Sequence, residues 1–130
     1  MTGKDQSCGG YGVEKDPLSS KSFGFALRII RLCRYLDEEK RAYVLSKQLL
    51  RSGTAVGALV QESHFAQSRA DFLNKLTIAL KEANETRYWL LLLYESGYLT
   101  ETMAQSILPD IEELIRLLVS STKTVKQTLS

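Results

Sequence analysis

The chain has 130 residues, two cysteines, 44% apolar residues and a net charge of +2. That is enough chain for one domain with a sizeable core. Two cysteines are too few for a disulfide framework, so a reducing, cytoplasmic setting is expected. The longest purely apolar run, Trp89 to Tyr94, is far shorter than the ~20 residues a membrane span needs, and the first twenty residues lack the apolar segment of a signal peptide.

The small net charge conceals an uneven distribution. Residues 21–60 carry eight basic residues against three acidic, a net of +5, whereas residues 61–115 carry four basic against nine acidic, a net of −5. The chain therefore has a basic half and an acidic half.

Residues 1–18 are polar, glycine-rich and without periodicity, and are expected to form a disordered arm ahead of a helical domain over 19–127, with a frayed tail at 128–130. The Gly9-Gly10-Tyr11-Gly12 stretch does not make a phosphate loop, because no strand precedes it and no Lys-Ser/Thr pair follows it. From Ser19 onward the apolar spacing is helical, with no strand-length alternation.

Four helices are predicted. The first, about 20–36, gathers Phe23, Ala26, Ile29, Ile30, Cys33 and Leu36 on one side and Lys21, Arg28, Arg31 and Arg34, beside Tyr35, on the other. The second, about 41–65, carries a stripe of Ala42, Leu45, Leu49, Val56 and Val60 bordered by Gly53 and Gly57. Each interior glycine costs roughly 1 kcal/mol relative to alanine, so the small residues Gly53, Ala55, Gly57 and Ala58 imply close helix packing.

The third helix, about 68–96, has a main stripe running from Phe72 to Tyr94 and a second of Ile78, Trp89, Leu92 and Leu93, which predicts a second partner and thus an oligomer interface. Arg87 lies in its main stripe between Ala83 and Leu90, and Glu62 is its expected partner in a structural ion pair, since an unpaired buried charge is costly. Gly97 is expected to end this helix and Thr100 to cap a fourth that runs to about Lys126, kinked or restarted at Pro109.

The stretches QLLRSGTAVGALVQES and DFLNKLTIALKEANETRYWLLLL resemble the two central helices of the four-helix-bundle family named after the intervening sequences of bacterial 23S ribosomal RNA genes. Gln48, Leu49, Arg51, Ser52, Gly57, Ala58 and Glu62 carry the likeness in the first stretch. In the second, Phe72, Lys75, Leu76, Ile78, Ala79, Leu80, Glu82, Ala83, Glu85, Trp89 and Leu90 carry it. Two positions depart from the family pattern: Ala55 stands where it usually has serine and Leu59 where it has asparagine. The resemblance implies an all-α, antiparallel up-down-up-down four-helix bundle assembling into a ring, a homopentamer. The chain is similar as well to the accessory proteins of diversity-generating retroelements, which implies nucleic acid and a reverse transcriptase as partners.

Catalysis finds little support, with one histidine, His64, and no nucleophile in a recognisable motif. No metal site is expected, because Glu62, Glu82, Glu85 and His64 lack the Glu-x-x-His pairs of a di-iron centre, and no cofactor is expected. Two functions follow. One is electrostatic binding of RNA or DNA through Arg28, Arg31, Arg34, Lys40, Arg41, Lys47 and Arg51. The other is a protein-interaction scaffold or accessory subunit in which these cations are a solvated face.

Overall fold

The computed structural model describes residues 16–129. Those residues form four helices and no strand: α1 (Pro17–Glu38), α2 (Tyr43–Ser63), α3 (Arg69–Glu95) and α4 (Glu101–Leu129). Up to residue 15 the expected arm lies outside the described residues, and its last three members instead open α1. Asp16 is the N-cap, its carboxylate accepting from the Ser19 N–H at 2.9 Å, and Pro17 follows where a missing N–H costs nothing.

The other helix ends follow from local chemistry. Ser68 caps α3, its hydroxyl accepting from the Asp71 N–H at 3.0 Å. Beyond α3 the chain turns at Gly97 with φ +89°. The Tyr98 N–H reaches the Leu93 carbonyl at 2.9 Å and the Gly97 N–H reaches that of Tyr94 at 3.1 Å, a Schellman closure that glycine makes without strain. Thr100 caps α4 as expected, accepting from the Met103 N–H at 3.1 Å. Pro109 lies inside α4, and the helix continues through it to Leu129 without a restart. The carbonyl its ring leaves unbonded belongs to exposed Gln105, where solvent can serve it. Of the expected tail, Thr128 and Leu129 lie in α4, where Thr128 accepts from Arg69 Nη2 at 3.1 Å, and Ser130 lies outside the described residues.

All four helices contribute to one core, including Ile29, Leu36, Leu49, Val56, Leu76, Leu90, Leu93, Ile111, Leu114 and Leu118. Each such side chain contributes roughly 1.5–3 kcal/mol through removal from water. The small residues of α2 let α1 approach closely. A Cβ on Gly53 would come within 2.9 Å of two Ile29 side-chain atoms, and one on Gly57 within 3.2 Å of the Ser22 carbonyl oxygen. The same seam buries serines: Ser46 Oγ donates to the Cys33 carbonyl at 3.2 Å, while Cys33 Sγ donates to the Ser46 carbonyl at 3.4 Å. Burial pushes the Cys33 thiol pKa up, so the side chain behaves as a small apolar group.

Three sequence expectations are corrected here. Phe23 and Ile30 do not join the core; they are 49% and 40% exposed, and Phe25 is buried instead. The core line of α1 is Ser22, Phe25, Ile29, Cys33 and Leu36, and Phe23 and Ile30 stand too far round the helix to reach it. Leu93 is fully buried with the core and presents no surface to a second molecule, unlike Ile78 and Leu92. Arg87 lies beside the core line of α3 rather than on it, because the centre is taken by the fully buried Thr86. The Thr86 hydroxyl donates to the Glu82 carbonyl at 2.7 Å and pairs with the Ser52 hydroxyl at 3.0 Å.

Candidate nucleic-acid interface

The two charge halves of the sequence partly neutralise each other within the molecule. Arg51 of α2 bonds Glu82 Oε1 of α3 at 3.1 Å and also Glu85. Trp89 Nε1 donates to Glu85 as well, at 3.2 Å. The Arg51 and Trp89 donors together hold the Glu85 carboxyl below its ordinary value. Lys21 of α1 meets Glu113 of α4 at 3.3 Å. Arg28 of α1 donates from Nη1 to Asp110 and to the Ser106 carbonyl at 3.0 Å, and from Nη2 to Ser106 Oγ at 2.6 Å.

The expected Glu62–Arg87 ion pair does not form. Arg87 Nε bonds Glu112 of α4 at 3.2 Å, and Glu62 lies 3.7 Å from Lys75. Both pairs join adjacent helices across exposed edges, where an ion pair contributes little, about 0–1 kcal/mol.

The seven candidate contact residues fall into two sets. Arg28 and Arg51 are tied to acidic partners on α4 and α3. Every basic residue from 31 to 47, namely Arg31, Arg34, Lys40, Arg41 and Lys47, is exposed and makes no ion pair among the described residues. These follow the last turns of α1, the connection to α2 and its first turns. Cys33 touches Ser46 across the pair, so their chain neighbours Arg34 and Lys47 lie within about one helical turn of each other along the two helices. Arg41 holds a left-handed backbone at φ 53°, the bend that admits the tight connection. Asp37, Glu38 and Glu39 lie between the cations at the end of α1, so the surface is a mixed one with a positive excess.

Next to Arg31 a cleft of about 440 Å³ opens between α1 and α4, lined by Arg28, Arg31, Leu32 and Tyr35 on one side and by Thr102, Met103, Ser106 and Ile107 on the other. Sequence reasoning missed it, because it depends on how α4 sits against α1. A second cavity of about 460 Å³, at the end of the molecule where α1 begins, is mainly apolar and includes Asp16 and His64. There Ser19 Oγ and His64 Nε2 are 2.7 Å apart, and Asp16 Oδ2 lies 3.6 Å from the same nitrogen. A hydrolytic relay needs the acid and the nucleophile on opposite ring nitrogens; here both meet Nε2. Glu82 and Glu85 face Arg51, Glu62 faces Lys75, and His64 faces Ser19. Among the described residues no three potential ligands converge as a metal site. No helix among them is long and apolar enough to cross a membrane.

The profile of the 23S rRNA-intervening sequence protein family matches residues 15–120, which spans all of α1 to α3 and most of α4. The chain belongs to that family. Its structure is similar to the crystal structure of a protein of unknown function from the S23 ribosomal protein family of Bacteroides thetaiotaomicron. The two share 52% sequence identity and superpose with a TM-score of 0.80, over 82% of this chain and 98% of that one. No curated protein matches. Family membership agrees with the likeness carried by the residues of α2 and α3 and adds the start of α1 at Asp16 to the shared domain.

Proposed function

We propose that this member of the 23S rRNA-intervening sequence protein family is a non-enzymatic, nucleic-acid-binding protein, an antiparallel up-down-up-down bundle that works as an oligomeric ring. The observation that carries the binding reading is the run Arg31, Arg34, Lys40, Arg41 and Lys47, none with an acidic partner among the described residues. The molecule satisfies Lys21, Arg28, Arg51, Lys75 and Arg87 with its own carboxylates. Phosphates are the natural counter-charge for the five that cluster between residues 31 and 47, and binding through them depends on salt.

Two exposed apolar stripes support assembly. One follows α1 and α2, with Phe23, Leu27, Ile30 and Leu50; the other lies on α3, with Ile78, Tyr88 and Leu92. A closed ring needs a head-to-tail contact between two different surfaces, and the chain offers two. The homopentamer remains the number implied by resemblance. The same stripes favour a second reading, an accessory subunit that docks a protein such as a reverse transcriptase.

The test is light scattering behind size exclusion, with a structured RNA at low and moderate salt, on the full chain and on an Arg31→Gln, Arg34→Gln, Lys47→Gln variant. The expected result is a ring-sized particle that carries RNA at low salt. The triple variant keeps its size and holds the RNA more weakly, with a logarithmic salt slope shallower by about 2–3. A ring that ignores RNA at both salts overturns the binding reading in favour of the scaffold, and a monomer overturns the assembly.

A further inference from the structure

We infer that the cleft between α1 and α4 receives one unpaired base of a single-stranded nucleic acid, with Arg31 at its mouth holding the adjoining phosphate. The inference rests on the nucleic-acid reading above and adds the kind of strand bound. The cleft, of about 440 Å³, has an apolar floor of Leu32, Met103 and Ile107, a surface that gains by covering itself with an uncharged, flat group. A duplex keeps its base faces stacked inside and would offer this floor only phosphates. A single strand offers both a base face and a phosphate in one nucleotide, the combination that single-strand binding surfaces match with cations beside aromatic platforms.

The walls suit such a group. Arg28 is bonded twice to Ser106 and once to Asp110. Its charge is thereby balanced and its guanidinium plane fixed, leaving a rigid flat face of the kind that stacks on rings. Tyr35 brings an aromatic ring to the same side, half-buried against the core. Ser106 and Thr102 supply hydroxyls within the cleft for the edge of a base. Arg31, exposed and without an ion pair among the described residues, lines the same opening, so the one uncompensated charge stands where the strand's phosphate would lie.

Fluorescence anisotropy tests this with a short labelled RNA strand of mixed sequence and the same strand annealed to its complement, at matched salt, on the full chain. The single strand is expected to bind about tenfold more tightly than the duplex, the scale of one stacked base. Thr102 is exposed, so Thr102→Trp fills the mouth from outside the core; circular dichroism verifies that it folds. That variant is expected to bind both probes alike, at the duplex affinity and with an unchanged salt slope. Arg31→Gln is expected to weaken both probes and lower the slope by about 1. Equal affinity for the two probes, unaffected by Thr102→Trp, overturns the cleft inference while the electrostatic reading stands. A Thr102→Trp variant that changes its oligomeric state but keeps the single-strand preference assigns the cleft to a protein contact and overturns it as well. Failure of both probes to bind at low salt overturns the nucleic-acid reading and this inference together.

Discussion

Gly53→Ala provides a direct test of the close approach between α1 and α2. On propensity alone alanine should stabilise α2 by roughly 1 kcal/mol. The added Cβ, however, would lie 2.9 Å from both Ile29 Cγ1 and Ile29 Cγ2. Ile29 is fully buried and branched at Cβ, so it has essentially one rotamer in a helix and cannot swing aside. Overpacking of this kind costs about 1–3 kcal/mol, which leaves a net loss of about 1 kcal/mol, or about 4 °C in Tm for a domain of this size. Gly24 is the control: it lies inside α1, and nothing is within 4 Å of a Cβ placed there. Gly24→Ala should raise Tm by about the amount that Gly53→Ala lowers it. Differential scanning calorimetry on both variants decides. The mechanism predicts further that Ile29→Ala, which removes both crowding Cγ atoms, makes the double variant more stable than the two single losses add up to. If Gly53→Ala raises Tm as much as Gly24→Ala does, the glycine is not there for packing and the reasoning fails.

Other expectations follow from the same contacts. Thr86→Val removes the hydroxyl that bonds Ser52 and the Glu82 carbonyl in the core and should lower stability by about 1 kcal/mol; urea unfolding should show Ser52→Ala and Thr86→Val to be coupled. Arg87→Ala should cost under about 1 kcal/mol, because its bond to Glu112 is on an exposed edge, and a loss several times larger would restore the buried ion pair. Acid should expose two carboxyls. Partial burial works against ionisation of Asp16, yet its bonds from Ser19 and the nearness of His64 leave its pKa below 3.8, while Arg51 and Trp89 hold Glu85 below 4.5. Both are depressed, so the stability they contribute is complete above those ordinary values and is lost as pH falls through the lower, folded ones. Glu85→Gln should therefore lose less Tm than the parent between about pH 5 and pH 3 in a thermal melt series.

Periodicity made the helices legible, and capping chemistry made several ends legible. Ile29, Leu49, Leu76 and Leu90 announce the core by spacing, and Gly97 and Thr100 announce the turn between α3 and α4. What escaped the sequence depends on small angular differences. Phe23 and Ile30 are as apolar as Phe25 and Ile29, and only the placement of α2 decides which reach the core. Thr86 rather than Arg87 takes the centre of α3 because its hydroxyl can be satisfied by Glu82 one turn earlier, something no hydropathy count rewards. Buried Ser22, Ser46, Ser52 and Ser63 escape it for the same reason: small hydroxyls bonded to nearby carbonyls act as core spacers. A clue existed in their recurrence along two helices that also carry glycine.

The candidate site shows a different limit. Seven cations in the basic half looked equivalent in the sequence, and their number suggested a single ridge. Pairing separates them. Arg28 and Arg51 answer to carboxylates on α4 and α3, so the basic and acidic halves serve partly to match α1 and α2 to their neighbours. A charge already matched gains little from a phosphate, because binding must first displace the internal partner. Arg31, Arg34, Lys40, Arg41 and Lys47 make no such exchange necessary among the described residues. Removing Arg51 should therefore disturb nucleic-acid affinity less than removing Arg31, although both carry one charge. That ordering distinguishes a surface selected by pairing from one that responds to net charge alone.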